Sequence, residues 1–93
     1  MASHHLKPVV SSDFSSKIGR NKLMLRLPAV RQTLQRLGGD PIDELAEAYD
    51  AATNMLESLR KNRAENVLLL NEYQALCDGI ELDVLTYCHS TKR

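Results

Sequence analysis

Between Ile42 and Tyr87 the chain alternates three- and four-residue steps between core-type positions, and that spacing places them on one stripe of a helix. The series runs Ile42, Leu45, Tyr49, Ala52, Leu56, Leu59, Arg63, Asn66, Leu70, Tyr73, Cys77, Ile80, Val84 and Tyr87, with only the adjacent Arg63 and Asn66 polar. Two arrangements satisfy it. One is a single long helix with a coiled-coil type of seam. The other is a hairpin broken near Lys61–Glu65, where Arg60, Lys61 and Arg63 suit the negative end of a helix. No glycine or proline lies between positions 41 and 79 to decide between them. Gly79 is expected to bend or end the second segment, leaving a short last helix over Glu81–His89 with Leu82, Val84 and Leu85 available for packing. No segment alternates as a strand pair does, so the expected fold class is all-α.

Punctuation before the stripe agrees with this. Leu27-Pro28 opens a short helix, since proline is tolerated at the first helical position. Ala29, Val30, Leu34 and Leu37 give that helix its apolar side, and Gly38-Gly39 ends it. In Asp40-Pro41-Ile42-Asp43-Glu44, Asp40 is the expected N-cap and Pro41 the first helical residue. Asp43, Glu44 and Glu47 then lie near the positive end of the helix dipole.

The formal net charge of zero hides a division along the chain. Residues 1–36 carry seven bases (Lys7, Lys17, Arg20, Lys22, Arg26, Arg31, Arg36) against Asp13, while residues 37–93 carry eleven acids against five bases. A +6 front joined to a −6 remainder suggests an arm for an anionic partner on a separate scaffold. Residues 1–27 are serine-rich and lack sustained periodicity, so they are expected to form a basic, flexible arm. Residues 28–93 are expected to form the helical oligomerisation or interaction domain. A body of that size, with no Trp and the single Phe (Phe14) in the arm, rarely supplies more than about 3–5 kcal/mol from its own core. Association with copies of itself or with a partner is therefore expected. The interface falls on Ile42, Leu45, Tyr49, Leu56, Leu59, Leu70 and Tyr73.

Chemistry-bearing groups are sparse. Cys77, Cys88, His89, His4 and His5 lack Cys-x-x-Cys or His-x(3–5)-His spacing, so no metal or other cofactor is expected. Cys77 reads as a small hydrophobe on the seam. There is no nucleophile motif and no glycine-rich phosphate loop, and an enzyme is not expected. Glu44, Glu47 and Asp50 read as the solvated side of an amphipathic helix rather than a catalytic pair. Lys17, Arg20, Lys22 and Arg26, extended by Arg31 and Arg36, suit the phosphates of duplex DNA, because phosphate contacts need cations but no base-reading geometry. The competing reading is a small adaptor or inhibitor docking on a host protein through the acidic face of Asp43, Glu44, Glu47 and Asp50. The longest strongly apolar run is Val67–Leu70, far short of a membrane span, and two cysteines make no disulfide scaffold. No membrane partner is expected.

Leu37-Gly38-Gly39-Asp40-Pro41-Ile42-Asp43-Glu44-Leu45-Ala46 resembles the L-G-x-D-P-I-x-x-L helix opening of the small terminase subunits, the DNA-packaging proteins of tailed bacteriophages. Ile18-Gly19-Arg20-Asn21-Lys22 is similar to the basic segment that often precedes it there. Leu85-Thr86-Tyr87-Cys88-His89-Ser90-Thr91-Lys92-Arg93 looks like a degraded form of their closing segment, with Ser90 where proline is usual. The resemblance implies a non-catalytic helical homo-oligomer. Such a protein engages viral DNA and recruits a large packaging ATPase or another virion or host protein, in the host cytoplasm or the virion.

Overall fold

A computed structural model describes residues 6–90, with side chains over 15–39 and 41–90. His4, His5 and residues 91–93, together with the side chains of Phe14 and Asp40, lie outside the described residues. Four α-helices follow one another: α1 (Leu6–Arg26), α2 (Arg31–Arg36), α3 (Asp40–Arg60) and α4 (Val67–Ser90). Short 3-10 turns at Pro28–Val30 and Arg63–Glu65 join them, and no strand occurs among the described residues. The all-α expectation holds.

The long apolar series folds as a hairpin rather than one rod. Its two polar positions mark the break: Arg63 opens a 3-10 turn and Asn66 follows it, its side-chain amide donating to the Leu59 carbonyl at 3.3 Å. The Asn66 carbonyl then accepts from the Leu70 N–H at 2.8 Å, starting α4. Gly79 neither bends nor ends α4, which continues to Ser90 and absorbs the separate last helix expected over Glu81–His89. One glycine costs a helix about 1 kcal/mol, less than the burial of Ile80, Val84 and Cys88 beyond it returns. At the start of α3 the residue before the helix is Gly39, whose carbonyl accepts from the Asp43 N–H at 3.0 Å, so the cap sits one place before the expected Asp40. Gly39 has φ +104°, a conformation that L side chains rarely adopt.

The largest departure concerns the front of the chain. From Leu6 to Arg26 the expected flexible arm is helix α1, and its Leu23 and Met24 side chains belong to the same core as the hairpin. Leu23 is fully buried, with Val30 and Leu34 from the segment after it, against Ile42, Ala46, Tyr49, Ala52 and Leu56 of α3. The division at residue 27 is therefore not a boundary between an arm and a body. Alpha-helix α3 lies in the middle, with α1 packed on one side and α4 on the other. The result is a slab, with principal extents of 45 × 39 × 16 Å.

Two small residues let α1 come this close. Gly19 of α1 is buried against the Ala46 backbone, where an added Cβ would overlap the Ala46 carbonyl oxygen. Gly79, by contrast, has nothing within 4 Å of such a Cβ. Helix propensity alone favours alanine at both sites. The structure therefore separates them. Gly19→Ala is expected to destabilise the protein by about 3 kcal/mol, through forced separation of α1 and α3. Gly79→Ala is expected to stabilise it by roughly 0.5–1 kcal/mol. Urea unfolding of the two variants checks both signs.

Candidate functional site: the basic helix and the acidic hairpin

Three of the six cations expected to hold DNA pair with carboxylates of the fold, Arg20 and Lys22 half-buried and Arg26 at the surface. The Arg20 guanidinium reaches Asp43 at 2.6 Å and also donates to the carbonyls of Leu34 (3.3 Å) and Leu37. It thereby closes the end of α2 and holds the start of α3. Lys22 pairs with Asp50 at 2.8 Å and donates to the Thr53 hydroxyl at 2.7 Å and the Asn54 side chain at 3.1 Å. The Thr53 hydroxyl in turn donates to the Tyr49 carbonyl at 2.9 Å. Arg26 pairs with Glu81 at 3.1 Å. The remaining cations differ. Lys17, Arg31 and Arg36 are exposed and pair with no carboxylate among the described residues, although Arg31 Nε donates to the Met24 carbonyl at 3.3 Å.

The same pairs engage two carboxylates of the acidic face expected as an alternative docking surface. Asp43 is held by Arg20, and Asp50 is 6 % exposed beneath Lys22. Glu44 is exposed and Glu47 half-buried, and these two of the four carboxylates form no ion pair among the described residues. A buried carboxylate such as Asp50 needs its counter-charge, since removing one partner of a buried pair costs about 3–5 kcal/mol. Lys22 is thus a structural residue, committed to the fold.

The residues expected to join subunits join helices of one chain instead. Ile42, Tyr49 and Leu56 are buried, Leu45, Leu70 and Tyr73 are partly buried against the core, and Leu59 is half-buried. The correction has a simple cause. Once the series folds back at residues 61–66, α4 itself covers the stripe of α3.

Glu81 was not singled out by pattern reading, yet it ties all three long helices. Its Oε2 accepts from the Tyr49 hydroxyl at 2.6 Å and from Arg26 Nε at 3.1 Å. The only hint in the sequence is its place beside the seam residue Ile80. Burial and the Glu81 carboxylate raise the Tyr49 phenol above its ordinary value of 10.0, keeping it a protonated donor. Burial, with the nearby charges of Glu81 and Asp78, also raises the Cys77 thiol. These groups line an open cleft of about 330 Å³ with Lys22, Arg26, Arg60 and Gln74. Its phenol and thiol both hold their protons, so neither is primed as a nucleophile. Cys88 is buried as well, and no disulfide joins the two cysteines. No group of three His, Cys, Asp or Glu side chains among the described residues is arranged to hold a metal ion.

A second feature lies at the far end of the hairpin. The buried core stops at Leu56 on α3 and Cys77 on α4. Beyond them the outer side of α4 leaves Leu68 78 % exposed, Leu69 45 % and Leu76 48 %. Leu69, Glu72, Tyr73 and Leu76 line a shallow cleft of about 310 Å³. The signal was present in the sequence: Val67–Leu70 is a run of four apolar residues, more than one inward seam can use. No helix among the described residues is long and apolar enough to cross a membrane. Compared with known proteins, the chain matches no family model, no curated protein and no solved structure.

Proposed function

We propose that this is a non-catalytic assembly protein that docks on another protein through the outer side of the distal hairpin. The observation that carries the reading is the exposure of Leu68, Leu69 and Leu76 on one helix, beyond the end of the core. The largest exposed apolar patch on a monomeric protein, commonly a few hundred Å², is often functional. The acidic-face reading loses ground, because Arg20 and Lys22 hold Asp43 and Asp50.

The test is a chain carrying Leu68→Gln, Leu69→Gln and Leu76→Gln. It is expected to keep its helical far-UV spectrum and a single cooperative urea transition, and to be more soluble than the parent. A loss of more than about 2 kcal/mol, the signature of core damage, would show that these side chains hold the fold together and would end the docking reading.

Engagement of the DNA backbone, implied by the resemblance to small packaging subunits, is a second reading. It is favoured by the exposure of Lys17, Arg31 and Arg36, which pair with no carboxylate among the described residues. With three cations not engaged by carboxylates of the fold rather than six, log K for duplex DNA is expected to fall with log salt at a slope of about −3. Lys17→Glu with Arg36→Glu should remove most of the binding. No binding to labelled duplex at low salt would overturn this reading and leave the docking one untouched.

A further inference from the structure

We infer that the furrow between α3 and α4, on the side where α1 ends, is a groove for an acidic amphipathic helical segment of another protein. This surface is separate from the exposed leucines of α4, and the inference does not rest on the docking reading above. Continuity, free charge and an apolar floor carry it.

Two open clefts of about 330 Å³ each form one furrow, because Leu56, Arg60 and Gln74 line both. Along α3 the furrow follows Tyr49, Thr53, Leu56 and Arg60, a strip of three- and four-residue steps. Along α4 it runs from Val67 to Glu81, about 20 Å of helix. The polar cleft beside Glu81 is thus one half of a longer trough. Helix α1 ends at Arg26, which with Lys22 lines that half. The other half has no α1 residue in its lining.

Charge sets the sign of the occupant. Arg60 and Arg63 are exposed and form no ion pair among the described residues. Arg26 donates to Glu81 through Nε, and its side chain stays 60 % exposed. Lys22 is committed to Asp50, and Glu81 to Arg26 and the Tyr49 hydroxyl. Glu57 is then the one lining carboxylate with no ion pair among the described residues, against two such guanidiniums. Guanidinium groups take carboxylates through paired N–H donors. An acidic occupant fits.

The floor narrows the choice further. Leu56 and Cys77 are buried at its base, Leu70 is half-buried, and Val67 is 52 % exposed. Nucleic-acid phosphates gain nothing from such residues. Base stacking needs an open aromatic face, whereas Tyr49 is 4 % exposed. A small ligand site encloses roughly 70–90 % of its ligand, and a furrow open along its length covers one side only. A helix in a groove draws its contact area from length instead, through anchors at i, i+3, i+4 and i+7. About 14 helical residues match the 20 Å of trough.

Fluorescence anisotropy of the full chain with a labelled helical peptide of about 14 residues, leucines along one stripe and glutamates beside it, tests the proposal. Saturable binding with a Kd on the order of 10–100 µM is expected. Arg60→Glu with Arg63→Glu should weaken it about tenfold or more. Glu57→Gln should tighten it severalfold, a gain that damage to the fold does not produce. Peptides with lysine for the glutamates, or alanine for the leucines, should not bind. The chain carrying Leu68→Gln, Leu69→Gln and Leu76→Gln should bind the peptide as the parent does. No saturable binding up to about 1 mM peptide would overturn the groove, and so would equal binding of either control peptide. Binding indifferent to the Arg60 and Arg63 changes would overturn it too. Loss of binding in a folded glutamine-substituted chain would assign the peptide to the leucine face and end this proposal. If that chain does not fold, the docking reading falls, and the arginine and Glu57 variants still decide this one.

Discussion

Everything in this structure depends on how closely α1 can approach α3. Gly19 lies against the Ala46 backbone, in a space that no larger residue fits. That approach buries Leu23 and brings Arg20, Lys22 and Arg26 within ion-pair distance of Asp43, Asp50 and Glu81. Close packing comes first in this order of causes. Partly exposed ion pairs contribute on the order of 1 kcal/mol or less, and they fix which way a helix lies more than whether it docks. The pair at Asp50 is the exception, since that carboxylate is nearly buried and its counter-charge prevents a penalty.

The division of charge along the chain thereby acquires a different meaning. A basic front and an acidic remainder suggest an arm reaching for an anionic partner, but much of the complementarity is used between helices of one chain. Arg20 illustrates this best. It satisfies the last carbonyls of the α2 segment and the first turn of α3 at once, work that would otherwise need a capping residue. The cations left over are those that the crossing geometry turns outward.

How much could be read in advance follows from which forces are local. Helix boundaries set by Pro28 and the Gly38-Gly39 pair were legible, because punctuation acts on neighbouring residues. The hairpin stayed open in the sequence, since two adjacent polar positions fit either a helix or a turn until α4 has somewhere to pack. Helix α1 was hidden for a related reason. Its sequence lacks a clean apolar stripe, and it docks mainly through one glycine, one leucine and several cations whose partners lie 23 to 55 residues away. Gly79 misled in the opposite direction, because tertiary burial beyond it outweighs its local cost. The exposed leucines were visible as a run but not as a surface. Only the hairpin shows that α3 uses one side of α4 and leaves the other uncovered.

The central claim is that the basic segment is an integral helix of the fold. Amide hydrogen exchange resolved by residue tests it most directly. If α1 is docked as described, amides of residues 20–26 exchange as slowly as those of Ala46–Leu56 in α3, because both open only when the shared core opens. Exchange of residues 20–26 at free-peptide rates, alongside a protected α3, would contradict the account and return this segment to the status of an arm.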